Sequence, residues 1–317
     1  MTFTLEDLRR SADRIRAVLP PTPQYRWPLL SQRVGADVWV KHENHLPVGA
    51  FKVRGGVSVM GELRARGVAR VVAATRGNHG QSVAFAAARN GIRATIVVPH
   101  GNSPTKNSAM RSLGAELVEH GHDFQAAYEY ARSYAEAERA YFFPSFSLDL
   151  VRGVASYALE LFDGAGVLDA VYVPIGLGSG ACGVMAARDA LGLTTDVVGV
   201  VSANAPCYAL SLAAGRPVST ETADTLADGV ACRVPVEEAL SLMQRGIARI
   251  VQVGDDEIRA AMRHLFTDTH NVAEGAGAAA LAAALQEKAQ IRGKRVALVL
   301  SGGNVDADVF AQVLREA

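Results

Sequence analysis

Residues 71–81 read VVAATRGNHGQ: a short run of small and β-branched residues, a polar turn holding glycine, and the opening of a helical stretch. Such a run bounded by a glycine turn suits a buried strand, and a strand handing over to a helix is half of a crossover unit. The pattern repeats toward the C-terminus. Strands are predicted at 71–74, 94–98 and 116–119, each followed by a helix, from about Gly80, Ser103 and Asp123, and a run at 140–143 closes the group at Pro144. Toward the N-terminus, 37–41 alternates as a short strand, and a helix opens at Lys52 and runs to about Arg66. Thr4 and Asp7 head an amphipathic helix closed by Pro20 and Pro21. A second series of strands follows at 170–174, 197–201, 250–253 and 296–300. Alternation of this kind predicts an α/β protein of two doubly wound domains with mostly parallel sheets, divided near residues 143–149. Only one helix is expected after Leu300, which leaves no appended regulatory domain in view.

The bulk properties bound the function. The chain has 317 residues, 49% hydrophobic and 20% charged, in the range of a globular enzyme with a substantial core. Lys plus Arg and Asp plus Glu are 32 each, so no electrostatic footprint for nucleic acid or an anionic membrane is visible. Three cysteines, Cys182, Cys207 and Cys232, without close pairing argue against a disulfide framework or a thiolate zinc site. The N-terminus has no signal-like apolar run and no stretch reaches about 18 apolar residues, so a cytoplasmic protein is expected.

Four segments carry candidate chemistry. Residues 49–55, GAFKVRG, set Lys52 between Phe51 and Val53 with Arg54 nearby, surroundings that lower a lysine pKa and make it a candidate anchor for an aldehyde cofactor. A helix-start lysine that snorkels to solvent has the same local look. Gly176, Leu177, Gly178, Ser179 and Gly180 follow a strand and open a helix from Ala181, where converging backbone N–H groups make a phosphate cradle or a plain tight turn. Thr75, Arg76, Gly77, Asn78 and His79 follow the strand at 71–74, and Ser301 follows the strand at 296–300. Loops at the carboxyl ends of parallel strands converge on one crevice, where ligands of open α/β sheets bind.

In this order, AFKVRGG, TRGNHGQ, GLGSG, ADGVA, EGAGAAA and SGGNVD resemble the serine/threonine dehydratase and serine racemase branch of the fold-type II (tryptophan synthase β-like) enzymes that use pyridoxal 5'-phosphate (PLP). The resemblance extends to TLEDLRRSADRI and KHENHLPVGAFK and covers nearly the whole chain. It implies that Lys52 forms the Schiff base, Phe51 flanks the cofactor ring, Asn78 bonds its phenolic oxygen, and residues 176–180 hold its phosphate. It further implies that Ser301 faces the pyridine nitrogen and that Thr75, Arg76, Gly77, Asn78 and His79 receive the substrate carboxylate. A large PLP-binding domain of 1–69 plus 148–317, a small domain of 70–147 closing over the substrate, and a homodimer are expected from the same likeness.

Two departures narrow the activity. Racemase relatives carry a serine, their second acid/base, where this chain has Arg76, and a guanidinium is a poor proton acceptor. Arg76 instead reaches a substrate carboxylate or points outward. Relatives that bind a divalent cation do so with carboxylates around 200–207, where this chain has none, so no metal site is expected. Of His120, His122 and Asp123, the last reads as an N-cap. The likeness thus implies α,β-elimination of a 3-hydroxy amino acid such as threonine or serine to a 2-oxo acid and ammonia. Alternatives are a β-replacement synthase or racemase, or a dehydratase of 3-hydroxyaspartate, phenylserine or a hydroxyectoine-derived amino acid. Asp228 and Glu274 lie in matching motifs, with loop bracing and helix initiation as their expected roles.

Overall fold

A computed structural model describes residues 3–316. Helix α1 (Leu5–Arg16) is capped as the sequence predicts: the Asp7 N–H donates to the Thr4 hydroxyl at 3.2 Å, and the Thr4 N–H to the Asp7 carboxylate at 3.1 Å. Strand β1 (Gln24–Arg26) and α2 (Pro28–Val34), the latter begun by proline and ended by Gly35 at φ 78°, precede β2 (Asp37–His42). Then come α3 (Lys52–Ala65), β3 (Arg70–Ala74), α4 (Asn78–Arg89), β4 (Arg93–Val98), α5 (Pro104–Ser112), β5 (Glu116–Glu119), α6 (Phe124–Ala137) and β6 (Tyr141–Phe142). Helix α7 (Leu148–Ala165) leads to β7 (Ala170–Pro174), α8 (Ser179–Ala190), β8 (Asp196–Ser202), α9 (Cys207–Ala214) and α10 (Glu237–Gly246). The chain finishes with β9 (Arg249–Val253), α11 (Asp255–Thr269), α12 (Gly275–Gln286), β10 (Arg295–Leu300) and α13 (Ala307–Arg315).

These strands make two sheets, in a fold-type II α/β architecture. One is four-stranded and wholly parallel, in the order β5-β4-β3-β6. The other is six-stranded, in the order β1-β2-β10-β7-β8-β9, parallel except where β1 pairs with β2. Strand β2, first in a chain-order reading of the N-terminal group, therefore belongs to the sheet of the later series. The reason is side-chain facing, which acts across sequence distance: Val38 and Val40 share one buried cluster with Val296, Leu298 and Leu300 of β10. The intervening Ala297 and Val299 point the other way, into the cluster formed with Tyr157 and Leu161 of α7. Both faces of the large sheet are thus covered, as parallel strands require. On the first face lies α12, in which ten of twelve residues, nearly all alanine or glycine, are buried.

A buried polar cluster fixes the first turn of α3. Arg54 bonds Glu43 at 2.6 Å and Glu160 at 2.8 Å, Lys41 bonds Glu160 at 2.6 Å, and the Thr22 hydroxyl donates to Glu43 at 2.6 Å. The cluster ties α3 to α7, to β2 and to the residues just after β2. Asp123 caps α6 through the Ala126 N–H at 2.9 Å, and His120 stacks on Tyr130 with ring centroids 3.9 Å apart.

Candidate active site

The start of α3 is stitched to the end of β10. The Phe51 N–H donates to the Ser301 carbonyl at 3.0 Å, and Ala50 and Gly302 form an isolated antiparallel bridge. Lys52 and Ser301 are thereby brought to one pocket, together with Phe51, Asn78 and the 176–180 loop. Sequence reading expects three loops on a single sheet. Instead, 75–79 leaves the small sheet after β3, while 176–180 and Ser301 leave the large sheet after β7 and β10, so the crevice lies between the two sheets.

Lys52 keeps some accessible surface because it lines the pocket, yet its amine is enclosed by protein. Burial pushes it down to about 8, with the Glu274 carboxylate pulling the other way. The amine stands 5.0 Å from the Phe51 ring centroid and has no hydrogen-bond or ion-pair partner among the described residues. A cation placed this way readily gives up its proton.

The glycine loop is built for close approach. A Cβ on Gly176 would sit 2.2 Å from the Gly229 carbonyl oxygen. Gly178 has φ 100° and would press a Cβ against Met243 and Ala239 at 2.7 and 2.9 Å. Because Gly178 is itself the N-cap, α8 begins at Ser179, two residues earlier than the sequence suggests. Gly178, Ser179 and Gly180 line the pocket, and the free N–H groups of a helix's first turn suit an anion. The Tyr208 hydroxyl donates to the Leu177 carbonyl at 3.0 Å and accepts from the Val236 N–H at 3.0 Å, which braces the loop from behind.

Helix α4 also starts early. The Thr75 hydroxyl accepts the Gly77 N–H at 3.0 Å and the Gly80 N–H at 3.3 Å, so Asn78 and His79 sit on the first helical turn, not in a loop. One Asn78 amide N–H goes to Glu274 Oε1 at 2.7 Å, and its Oδ1 accepts from Asn304 at 2.8 Å, leaving a second N–H for a ligand. His79 is buried, its Nε2 has no partner, and burial followed by the Lys52 charge holds it down near 3, so it is neutral. Arg76 is exposed and outside the pocket lining. Ser301 is buried, and its hydroxyl has no protein partner among the described residues.

Glu274 is the residue sequence reasoning undervalued. It stands at the N-cap of α12, but its side chain makes no capping bond; it turns into the pocket, where burial pushes it up to about 7. The available signal is a lone carboxylate heading the otherwise uncharged run GAGAAALAAAL. Asp228 ties its short turn to α5: its carboxylate accepts from the Lys106 amine at 2.8 Å.

A carbonyl-reactive amine, an anion cradle and an unpartnered hydroxyl around one pocket define a site for a phosphorylated aldehyde. The profile of the family described as pyridoxal-phosphate dependent enzyme matches residues 15–302, and the chain belongs to that family. It is 35% identical to the L-threonine ammonia-lyase of Thermotoga maritima over 99% of this chain and 79% of that protein. The processed form of threonine deaminase isoform 2 from Solanum lycopersicum superposes with a TM-score of 0.91 at 30% identity, covering 99% of this chain and 94% of that one. Maize serine racemase gives a TM-score of 0.91 at 25% identity over 100% and 98% of the two chains. The chain spans only 60% or less of the length of several longer threonine dehydratases. It is a PLP-dependent enzyme of the lyase type, in the threonine/serine dehydratase and racemase branch. No helix among the described residues is long and apolar enough to cross a membrane.

Proposed function

We propose that this chain is an ammonia-lyase that removes water from a 3-hydroxy amino acid, threonine or serine in the first instance, and yields a 2-oxo acid and ammonia. The observation that carries the reading is the unpaired Lys52 amine, the one amine lining the pocket, with its pKa lowered to about 8. Bound PLP supplies an electron sink that makes the α-proton of an amino acid acidic.

The chain's own residues do the rest. Lys52 would hold the cofactor, and its free amine would accept the substrate's α-proton at Nζ as general base. Backbone N–H groups of Gly176, Leu177, Gly178, Ser179 and Gly180 hold the phosphate, and Phe51 packs beside the ring. Asn78 offers its remaining N–H to the ring oxygen. The Ser301 hydroxyl, which lines the pocket, would serve the ring nitrogen, and a neutral partner there would favour elimination over fuller charge delocalisation. The segment Thr75, Arg76, Gly77, Asn78 and His79 receives the substrate carboxylate, with the exposed Arg76 outside the pocket lining. Residues 70–147 act as a small domain that closes on the rest, 1–69 plus 148–317, and the working protein is a cytoplasmic homodimer.

A panel of 3-hydroxy amino acids, acidic and aromatic ones included, scored for 2-oxo acid and ammonia tests the reading. Product that requires an added thiol would replace elimination by β-replacement, and D-isomer formation without ammonia would replace it by racemisation.

A further inference from the structure

The Glu274 carboxyl is held on several sides. Its Oε1 accepts from Asn78 at 2.7 Å, and a Cβ added to Gly302 would lie 2.4 Å from the same oxygen, so the carboxyl rests directly on the backbone of Gly302. Gly302 in turn bridges Ala50, two residues before Lys52. The charged groups that act on Glu274 come from three elements: Lys52 on α3, Lys106 on α5, and Asp228 in the short turn 228–230. Lys106 is already engaged by Asp228, whereas Lys52 has no partner.

We propose that Glu274 is a positioning residue that acts through Lys52 and Asn78: its negative charge keeps the proton on the Lys52 amine, and its Oε1 fixes the direction of the Asn78 amide. The inference rests on the reading of Lys52 as the cofactor lysine. Glu274 and Lys52 line the same pocket and act on each other with opposite sign: the Glu274 charge holds the Lys52 amine up against burial, and Lys106 and then Lys52 hold the Glu274 carboxyl down. A proton leaving Nζ frees the lone pair that attacks a carbonyl, and a neighbouring negative charge raises the pH at which that proton leaves. A carboxyl so placed sets the pH at which Lys52 becomes nucleophilic.

The test is the rate at which the full chain, stripped of cofactor, captures added pyridoxal phosphate as a function of pH, followed by absorbance. In Glu274→Gln the midpoint of this profile falls by about 1 unit, as expected for losing a neighbouring opposite charge; in Glu274→Asp it stays near the wild-type value. An unchanged midpoint in a folded Glu274→Gln protein overturns the proposal. Should that variant not fold, carboxyl titration by infrared difference spectroscopy decides instead. Lys52→Ala moves a carboxyl that titrates near 7 upward if the pair is coupled, and the absence of any shift sinks the idea. Borohydride reduction and peptide mapping separate the two layers, because cofactor mass on a residue other than Lys52 removes the underlying reading whatever Glu274 does.

Discussion

Lys52 and Arg54 stand two residues apart on the first turn of α3, and the fold treats the two cations in opposite ways. Arg54 is fully buried and bonded to Glu43, Glu160, Ser156 and Thr22. Desolvation alone would weaken its charge, but the two carboxylates more than reverse this, and its pKa rises. Lys52 faces the pocket with no partner, and its pKa falls. Saturated hydrogen bonding makes a cation an anchor; withheld hydrogen bonding makes it a reagent. A stretch of seven residues thus holds both the reactive group and the fastening that aims it.

The contrast is broken most completely at Lys52. Lys52→Ala should yield colourless protein with turnover reduced more than about 10³-fold, while thermal stability is kept or slightly raised because an unpaired amine has been removed. Spectrophotometry and a melting curve check both halves.

Arg54→Ala should do the reverse, lowering stability by about 3–5 kcal/mol by stranding two carboxylates, as read in a denaturant titration. The pH dependence of the wild type sharpens this. Burial pushes Glu160 up, but Arg54 and then Lys41 pull it below the ordinary carboxylate range. A depressed acid contributes stability above its unfolded value, about 4.3, and loses it as pH falls through the folded one. Wild-type stability should therefore drop in acid below that range, and the drop should be smaller in a variant lacking Arg54.

Gly178→Ala lies between these extremes. Positive φ and the contacts with Met243 and Ala239 should lower stability by about 1–2 kcal/mol and speed loss of cofactor on dialysis. At the small end, Arg76→Ala should change kcat/KM for threonine or serine by no more than about twofold, since an exposed side chain away from the pocket contributes within about 0.5 kcal/mol. A large loss confined to acidic substrates would instead give Arg76 a role in reading a second carboxylate.

Most strands were legible because each is a short apolar run bounded by a turn, and local periodicity reports that directly. Strand β1, whose Tyr25 and Arg26 are exposed, has no such pattern and is defined by its pairing with β2. The pairing of β2 with β10 has no local signature either, since facing and pairing are settled by residues far away in sequence. At the site, Lys52, Asn78, Ser301 and the glycine loop stand out as polar or flexible residues just past strand ends. Glu274 does not, because a helix N-terminus is an ordinary place for a carboxylate. Only the packing of Gly302 and Asn78 against it distinguishes this one.

Strand β10 sits between β2 and β7, so two strands that precede it in the chain are joined in the large sheet only through it. Without it the two flanking strands would present bare edges, a surface that invites pairing with other chains. The same late strand delivers Ser301 and the Gly302 bridge beside Ala50. Completing the large sheet and completing the pocket are thus one event in the assembly of the fold.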